Sequence, residues 1–403
     1  MSKWNSAILS DAVELVIDYR GKTPKKLGSD WCNDGYRALS AKNIKTGQIV
    51  QEDTIRYVDE ELYHKWMKEE IKKGDIIVTS EAPFGQIYYW DSDEKIVLSQ
   101  RLFAIRIKKE FDARYIYQYM TTPLFYEEMS ARATGTTVIG LRQPELMKCK
   151  IKYPNIEIQK KISAILCAID RKKKNNMLIN ENLQQQARAV FQAWFIDYEP
   201  FGGAAPLAWH PSTLGQIAEL KTDSWSPAKN PDVIVEHYSI PAFDEQHYPV
   251  FEIAAGIKSN KYILNSNSVM ISKLNPDTKR IWRPLCLSAH SVCSTEFIVY
   301  EAKKQEQRDY IYSILDSTPF LNHLCSHTTG STNSRQRATP KSTLDFTLCL
   351  PPDSIIEDFC QIVTPMYDLI ASNIVENQSL AKTRDSLLPR LMSGELDVSN
   401  IQI

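Results

Sequence analysis

Hydrophobic and polar positions along the chain follow two distinct patterns. Short apolar runs bounded by polar or turn residues, such as "DIIVTS" at 75–80 and "RLFAIRI" at 101–107, predict strands. Between them lie short helical stretches such as "DARYIYQYMTT" at 112–122. From Ile158 the pattern stretches to a heptad-like seam through Ile162, Ile165, Ile169, Ile179, Leu183, Val190 and Trp194. A second seam passes through Phe359, Ile362, Met366, Leu369, Leu380, Leu387 and Leu391. Each predicts a helix of about 40 residues, roughly 60 Å long at about 1.5 Å per residue. Pro154 and Pro351–Pro352 stand at the starts, where proline is tolerated, and Pro389 predicts a kink or stop near the end of the second helix.

The pattern occurs twice. "YIYQYMTTPLF" at 115–125 returns as "YIYSILDSTPFL" at 310–321. Around it, "LSDAVEL" (9–15), "GDIIVTS" (74–80), "VLSQRLFAI" (97–105) and "ATGTT" (133–137) are followed in the same order by "LGQIAEL" (214–220), "NSVMISK" (267–273), "VCSTEFIVY" (292–300) and "TTGST" (328–332). This is one domain plus one helix, duplicated. A shift of 197 places Ile162 on Phe359, Leu183 on Leu380 and Asn176 on Asn373, each asparagine in mid-seam. A buried asparagine costs stability but fixes register, because a slip leaves its amide unpaired. The expectation is an antiparallel helix pair with Asn176 and Asn373 near one level; the alternative puts each at a solvent-facing stutter.

The fold class is therefore α+β, with two similar globular domains and two long helices pairing as an antiparallel coiled coil. The expected boundaries are 1–153 for the first domain and 154–198 for the central helix. A linker follows at 199–206, within "YEPFGGAAPLAWHP", then the second domain at 207–350, the C-terminal helix at 351–396 and a tail at 397–403.

Composition adds limits. At 43% hydrophobic and 24% charged residues, the chain has the make-up of a soluble globular protein. No run approaches the roughly 18 apolar residues of a membrane span. The N-terminal segment lacks the pattern of a secretory signal, so a cytoplasmic protein is expected. The eight cysteines are scattered singly, against both a disulfide frame and a zinc ribbon. A net charge of −1 lowers the odds of a nucleic-acid partner without deciding them, because the basic residues cluster in loops.

The ending "LPRLMSGELD" at 388–397, the central stretch "PNIEIQKKISAILCAID" running on to "LQQQARAVFQAWFID", and "RGKTP" at 20–24 are similar to the specificity subunits of type I restriction-modification systems. The resemblance covers essentially the full chain in that family's order. It implies two target-recognition domains, each reading one half of a bipartite DNA target, with the helices setting the spacer. It implies no catalysis and no cofactor in this chain. The expected partners are double-stranded DNA, two modification subunits that carry S-adenosylmethionine and methylate adenine, and restriction subunits that use ATP and Mg. A related type II-like modification system, or a coiled-coil scaffold that binds protein, are the alternatives. Phe191, Trp194 and Phe195 are candidates for docking such partners, with core packing as the other reading.

DNA reading needs cations and donors for phosphates, and amides or guanidinium groups for base edges. The second copy supplies Ser331, Thr332, Asn333, Ser334, Arg335 and Arg337 in one Gly-started loop. The first copy supplies Thr134, Thr136, Thr137, Arg142 and Gln143. Basic loops add Arg20, Lys22, Lys25 and Lys26, and Lys273, Lys279 and Arg280. No phosphate-cradling G-x-x-x-x-G-K-[ST] loop and no methyltransferase motif is present. His323, Cys325 and His327 have metal-like spacing but no second ligand cluster, so no metal is expected.

Overall fold

The computed structural model describes residues 4–135, 138–329 and 336–402. The chain divides into two units, Met1–Lys172 with Ser379–Ile403, and Lys173–Gln378.

In the first unit β1 (Val13–Asp18), β2 (Ile76–Thr79), β3 (Ile87–Tyr89) and β4 (Leu102–Ile107) form an antiparallel sheet in the order β1-β4-β2-β3. The strands read as nearly continuous apolar runs because both faces are covered. Ile76, Val78, Phe103 and Ile105 pack on one side with Tyr115 and Ile116 of α1 (Ala113–Met120). Ile77, Leu102 and Ala104 pack on the other with Tyr63 and Trp66. A three-stranded sheet (Arg56–Val58, Tyr36–Leu39, Ile96–Leu98) completes that side, its last two strands parallel. After α1 the chain turns into α2 (Pro123–Arg132), capped by Thr122 Oγ1 accepting from Phe125 N–H, with Pro123 in the first turn.

The long helix α3 (Ile156–Phe195) leads from this unit into the second. There β5 (Ala218–Lys221), β6 (Ser268–Ser272), β7 (Ile281–Trp282) and β8 (Phe297–Ala302) repeat the topology, β5-β8-β6-β7. α4 (Arg308–Asp316) and α5 (Thr318–Ser326) follow, with Ser317 Oγ capping from Phe320 N–H. The shared T/S-x-x-F spacing, Thr122 to Phe125 and Ser317 to Phe320, is this cap. Here the second sheet has five strands rather than three.

Where the first copy has Gly74–Asp75 ahead of its strand the second has Asn267–Ser268, and the exchange has a physical reason. In the first unit the buried Asp75 accepts from Arg106 of β4, at 2.9 and 2.8 Å. Glu301 of β8 stands where Arg106 stood, so a neighbouring acid would repel it. Ser268 replaces the aspartate, and Glu301 accepts instead from Asn265 at 2.6 Å and lies 3.7 Å from Lys221.

The second long helix is α6 (Asp353–Ser393). Within the first unit, α3 up to Lys172 and α6 from Ser379 share one core through Ile158, Ile162, Leu166, Leu388, Leu391 and Met392, and Arg384 lies 3.1 Å from Asp170. Within the second unit the two helices run antiparallel past a polar layer. Asn176 donates to Asn377 at 3.0 Å and to Glu376 at 2.7 Å, while Asn373 donates to Asn180 at 2.8 Å. Asn176 and Asn373 are both buried and do not bond each other. Each meets the residue four positions beyond its counterpart's place on the opposite helix.

Three seam residues differ from expectation. Ile179, Ile362 and Leu369 are exposed. Each lies one position, about 100° of rotation, from a residue that turns inward: Asn180, Val363 and Ile370. Pro389 does not end α6. The helix runs to Ser393 and stops at Gly394, whose φ of +80° and closeness to Trp4 admit no side chain: a Cβ there would lie 2.4 Å from the indole Nε1. Phe191 and Phe195 are buried in the second unit's core, and Trp194 packs against it. Phe195 has ring centroids 4.8 Å from Tyr310 and 5.0 Å from Phe359. Phe191 and Phe195 thus pack the second domain onto its helices, as the core-packing reading has it, while Trp194 stays partly exposed.

Candidate nucleic-acid interface

In the first unit the loop after α2 folds back onto the sheet. Thr134 and Gly140 exchange both backbone hydrogen bonds at 2.9 Å, and Leu141 N–H donates to Ser80 O at 2.9 Å. Ser80 N–H in turn donates to Arg101 O at 2.9 Å, so the end of β2, the start of β4 and the loop are one hydrogen-bonded frame. Only glycine fits at 135: its φ is +116°, and a Cβ would lie 2.1 Å from Val138 O.

The second unit builds the same frame from different residues. Lys273 N–H donates to Glu296 O and Ala338 N–H donates to Lys273 O, both at 2.9 Å. Leu274 bridges Arg337 as Glu81 bridges Gly140. Thr328–Thr329 and Arg337–Ala338 form the short ladder at the base of this loop.

The sequence-derived cations separate into spent and available groups. Arg20 is locked by Asp18 at 2.5 Å and lies 5.1 Å from the Phe103 ring. Lys22 donates to Trp66 O at 2.8 Å and sits 4.3 Å from the Tyr19 ring; burial, reinforced by Lys68, pulls its ammonium below the usual lysine range. Lys279 is paired with Asp316 at 2.5 Å, and Arg280 with Asp244 at 2.7 Å. These four brace the fold. Lys25 and Lys26 are exposed on a short turn, where Lys26 donates to Gly21 O at 2.7 Å. Thr134 and Arg142 are exposed beside the first frame, with Gln143 half-buried next to them, and Lys273 is half-buried in the second. Arg337 is half-exposed and reaches Glu296 at 3.0 Å. Thr136, Thr137, Ser331, Thr332, Asn333, Ser334 and Arg335 lie outside the described residues.

Sequence reasoning missed Glu81, Arg101 and Glu296, which complete the two frames. Arg101 and Glu296 lie inside the echoed stretches at 97–105 and 292–300, and Glu81 directly follows the one at 74–80, but only the long-range pairing of strand end with loop brings them together.

A bracing network holds the second domain to its helices. Arg283 donates to Asp309 at 2.8 Å and to Asp368 of α6 at 2.6 Å, and Arg188 of α3 reaches Asp316 at 2.5 Å. Burial works against the charged form of Asp309, but Arg283 and Arg308 outweigh it and hold its carboxyl below the usual range. In the first unit Ser163 of α3 donates to Asp112 at 2.6 Å and Gln159 Oε1 accepts from Asp112 N–H at 3.0 Å.

Among the described residues no group of three or more His, Cys, Asp or Glu is placed to hold a metal ion. The His323 and His327 rings lie 4.4 Å apart at a tilt of 39°, and His323 Nε2 lies 2.9 Å from Ser342 O. Among the described residues no helix is long and apolar enough to cross a membrane.

Comparison with known proteins gives one consistent answer. The family model described as "Type I restriction modification DNA specificity domain" matches residues 1–185. The type I restriction enzyme MjaIX specificity subunit of Methanocaldococcus jannaschii is 26% identical over 351 residues, 82% of this chain and 79% of that protein. The HindI specificity subunit of Haemophilus influenzae is 23% identical over 410 residues, covering 82% of this chain and 88% of its own. Among solved structures, the S subunit of a type I system from M. genitalium superposes with a TM-score of 0.62 at 15% identity, over 97% of this chain and 96% of that one, a likeness of fold.

Proposed function

From the premise that the chain belongs to the family of type I restriction-modification specificity subunits, we propose that it is the non-catalytic subunit that chooses the DNA site. Each unit reads one half of a bipartite duplex target, and the paired helices fix the spacer between the halves. Two modification subunits bring S-adenosylmethionine and methylate adenine, and restriction subunits bring ATP and Mg; this chain holds no cofactor of its own. The observation that carries the reading is the repeated frame: one backbone arrangement, presented twice, with different side chains. Two readers of different sequence require that combination of constancy and change.

Phosphates dominate the affinity of such a complex, so binding must weaken with salt. The full chain assembled with its modification subunits is expected to bind duplex DNA with log affinity falling linearly in log salt concentration. Salt-independent binding, or none to duplex, would favour a protein-assembly scaffold instead.

A further inference from the structure

The two frames can be overlaid residue by residue through their backbone bonds. Ser80 corresponds to Lys273, Arg101 to Glu296, Gly140 to Arg337 and Leu141 to Ala338. Even the left-handed residue recurs, Ala82 at φ +46° and Asn275 at +47°. On this common backbone the charges are exchanged. In the first unit the arginine stands at the start of β4, and Glu81 from beyond β2 meets it at 3.0 Å. In the second unit that strand position carries Glu296, and the guanidinium comes from the loop, as Arg337, again at 3.0 Å. All four side chains are about one-third to one-half exposed. Each frame thus displays one guanidinium and one carboxylate, supplied from opposite sides.

Stability does not explain these pairs. An ion pair this exposed adds little to folding. Arg101 also sits at φ +64°, a left-handed backbone that a non-glycine residue adopts only under strain. Arg20 and Arg106 of the same unit are spent on the fold, on Asp18 and on the buried Asp75, whereas Arg101, like Arg142 beside the frame, stands toward solvent. Nor does a phosphate contact suit Arg101, because Glu81 beside it repels an anion. A guanine edge fits. It offers the O6 and N7 acceptors that a guanidinium fork matches, while the paired cytosine offers an N4 donor to a carboxylate.

We infer that Arg101 is a specificity-determining residue of the first recognition unit, reading the major-groove edge of one G·C pair, with Glu81 holding its guanidinium in place while the site is empty. Arg337 and Glu296 do the same in the second unit from exchanged positions. The inference rests on the DNA-reading function proposed above and names side chains for it.

The test uses the full chain expressed with its modification subunits, and N6-methyladenine mapped over a library of split targets. Arg101→Gly removes the guanidinium and relieves the left-handed strain, so the variant should melt no lower than the parent. Arg101→Lys keeps the charge without the fork. Both are expected to relax a single G·C position in one half of the motif by about tenfold or more, leaving the other half unchanged. An unchanged motif with both variants overturns the inference. So does a uniform loss across all sequences with a salt slope smaller by about one, the sign of a phosphate contact. If the parent complex marks no split motif, the proposed function itself fails, and the role of Arg101 with it.

Discussion

Asp309 shows how a single side chain carries mechanical load here. It is almost wholly buried and accepts from Arg283, which also reaches Asp368 on the long helix α6. Its carboxyl is held below the usual range, so the stabilisation it gives is fully present above the unfolded pKa of about 3.9. That contribution is lost as pH falls through the lower folded value. Asp309→Asn leaves Arg283 short of a buried charge partner and should cost about 3 kcal/mol near neutrality. The gap in melting temperature between parent and variant should hold from pH 6 down to about 4 and narrow only below that, as pH falls through the lowered folded pKa. A gap independent of pH would show that Asp309 acts through packing rather than charge. Lys22 makes the opposite point about reading residues from sequence. "YRGKTPKK" has the composition of a phosphate-binding loop, yet Lys22 is committed to Trp66 O and Arg20 to Asp18. Composition names the residue types; their partners, 44 positions away for Lys22, follow only from the fold.

At the scale of elements, the helices were the most legible part. Two matched apolar seams, each with a central asparagine, pointed to paired helices, and the asparagines are buried in the interface. The face was read less well, because Ile179, Ile362 and Leu369 are apolar yet turned to solvent. A seam counted from apolar residues alone is uncertain by one position, and only the partner helix decides which neighbour faces inward. The asparagine layer itself invites a double-mutant cycle. Asn176→Ala leaves Asn377 without its partner and should cost about 1–3 kcal/mol. Once Asn377→Ala is present, the same change should cost clearly less. Additive losses in thermal unfolding would mean the two amides do not depend on each other. The sheets were legible as strands and as a repeat, but the hydrogen-bonded frames of strand end and loop built on them were not. They join residues from three separate stretches, and the echo that holds Arg101 and Glu296 does not say which residue each will meet.

For the whole molecule, duplication is the organising fact. Two four-stranded sheets with one strand order, two capped helix pairs and two long helices make a chain that presents one kind of surface twice. If the helices set the spacer, lengthening both by one heptad adds about 10 Å, close to three base pairs at about 3.4 Å each. The half-sites should keep their sequence while the gap between them grows by about three. An unaltered gap would remove the helices from that role. The central claim, that this chain selects a split DNA site for methylation, is tested most directly by mapping N6-methyladenine across the source genome with and without the gene. Loss of one bipartite motif on deletion, restored by the gene, is the predicted result; an identical map in both strains, while the modification subunits are present and active, would contradict it.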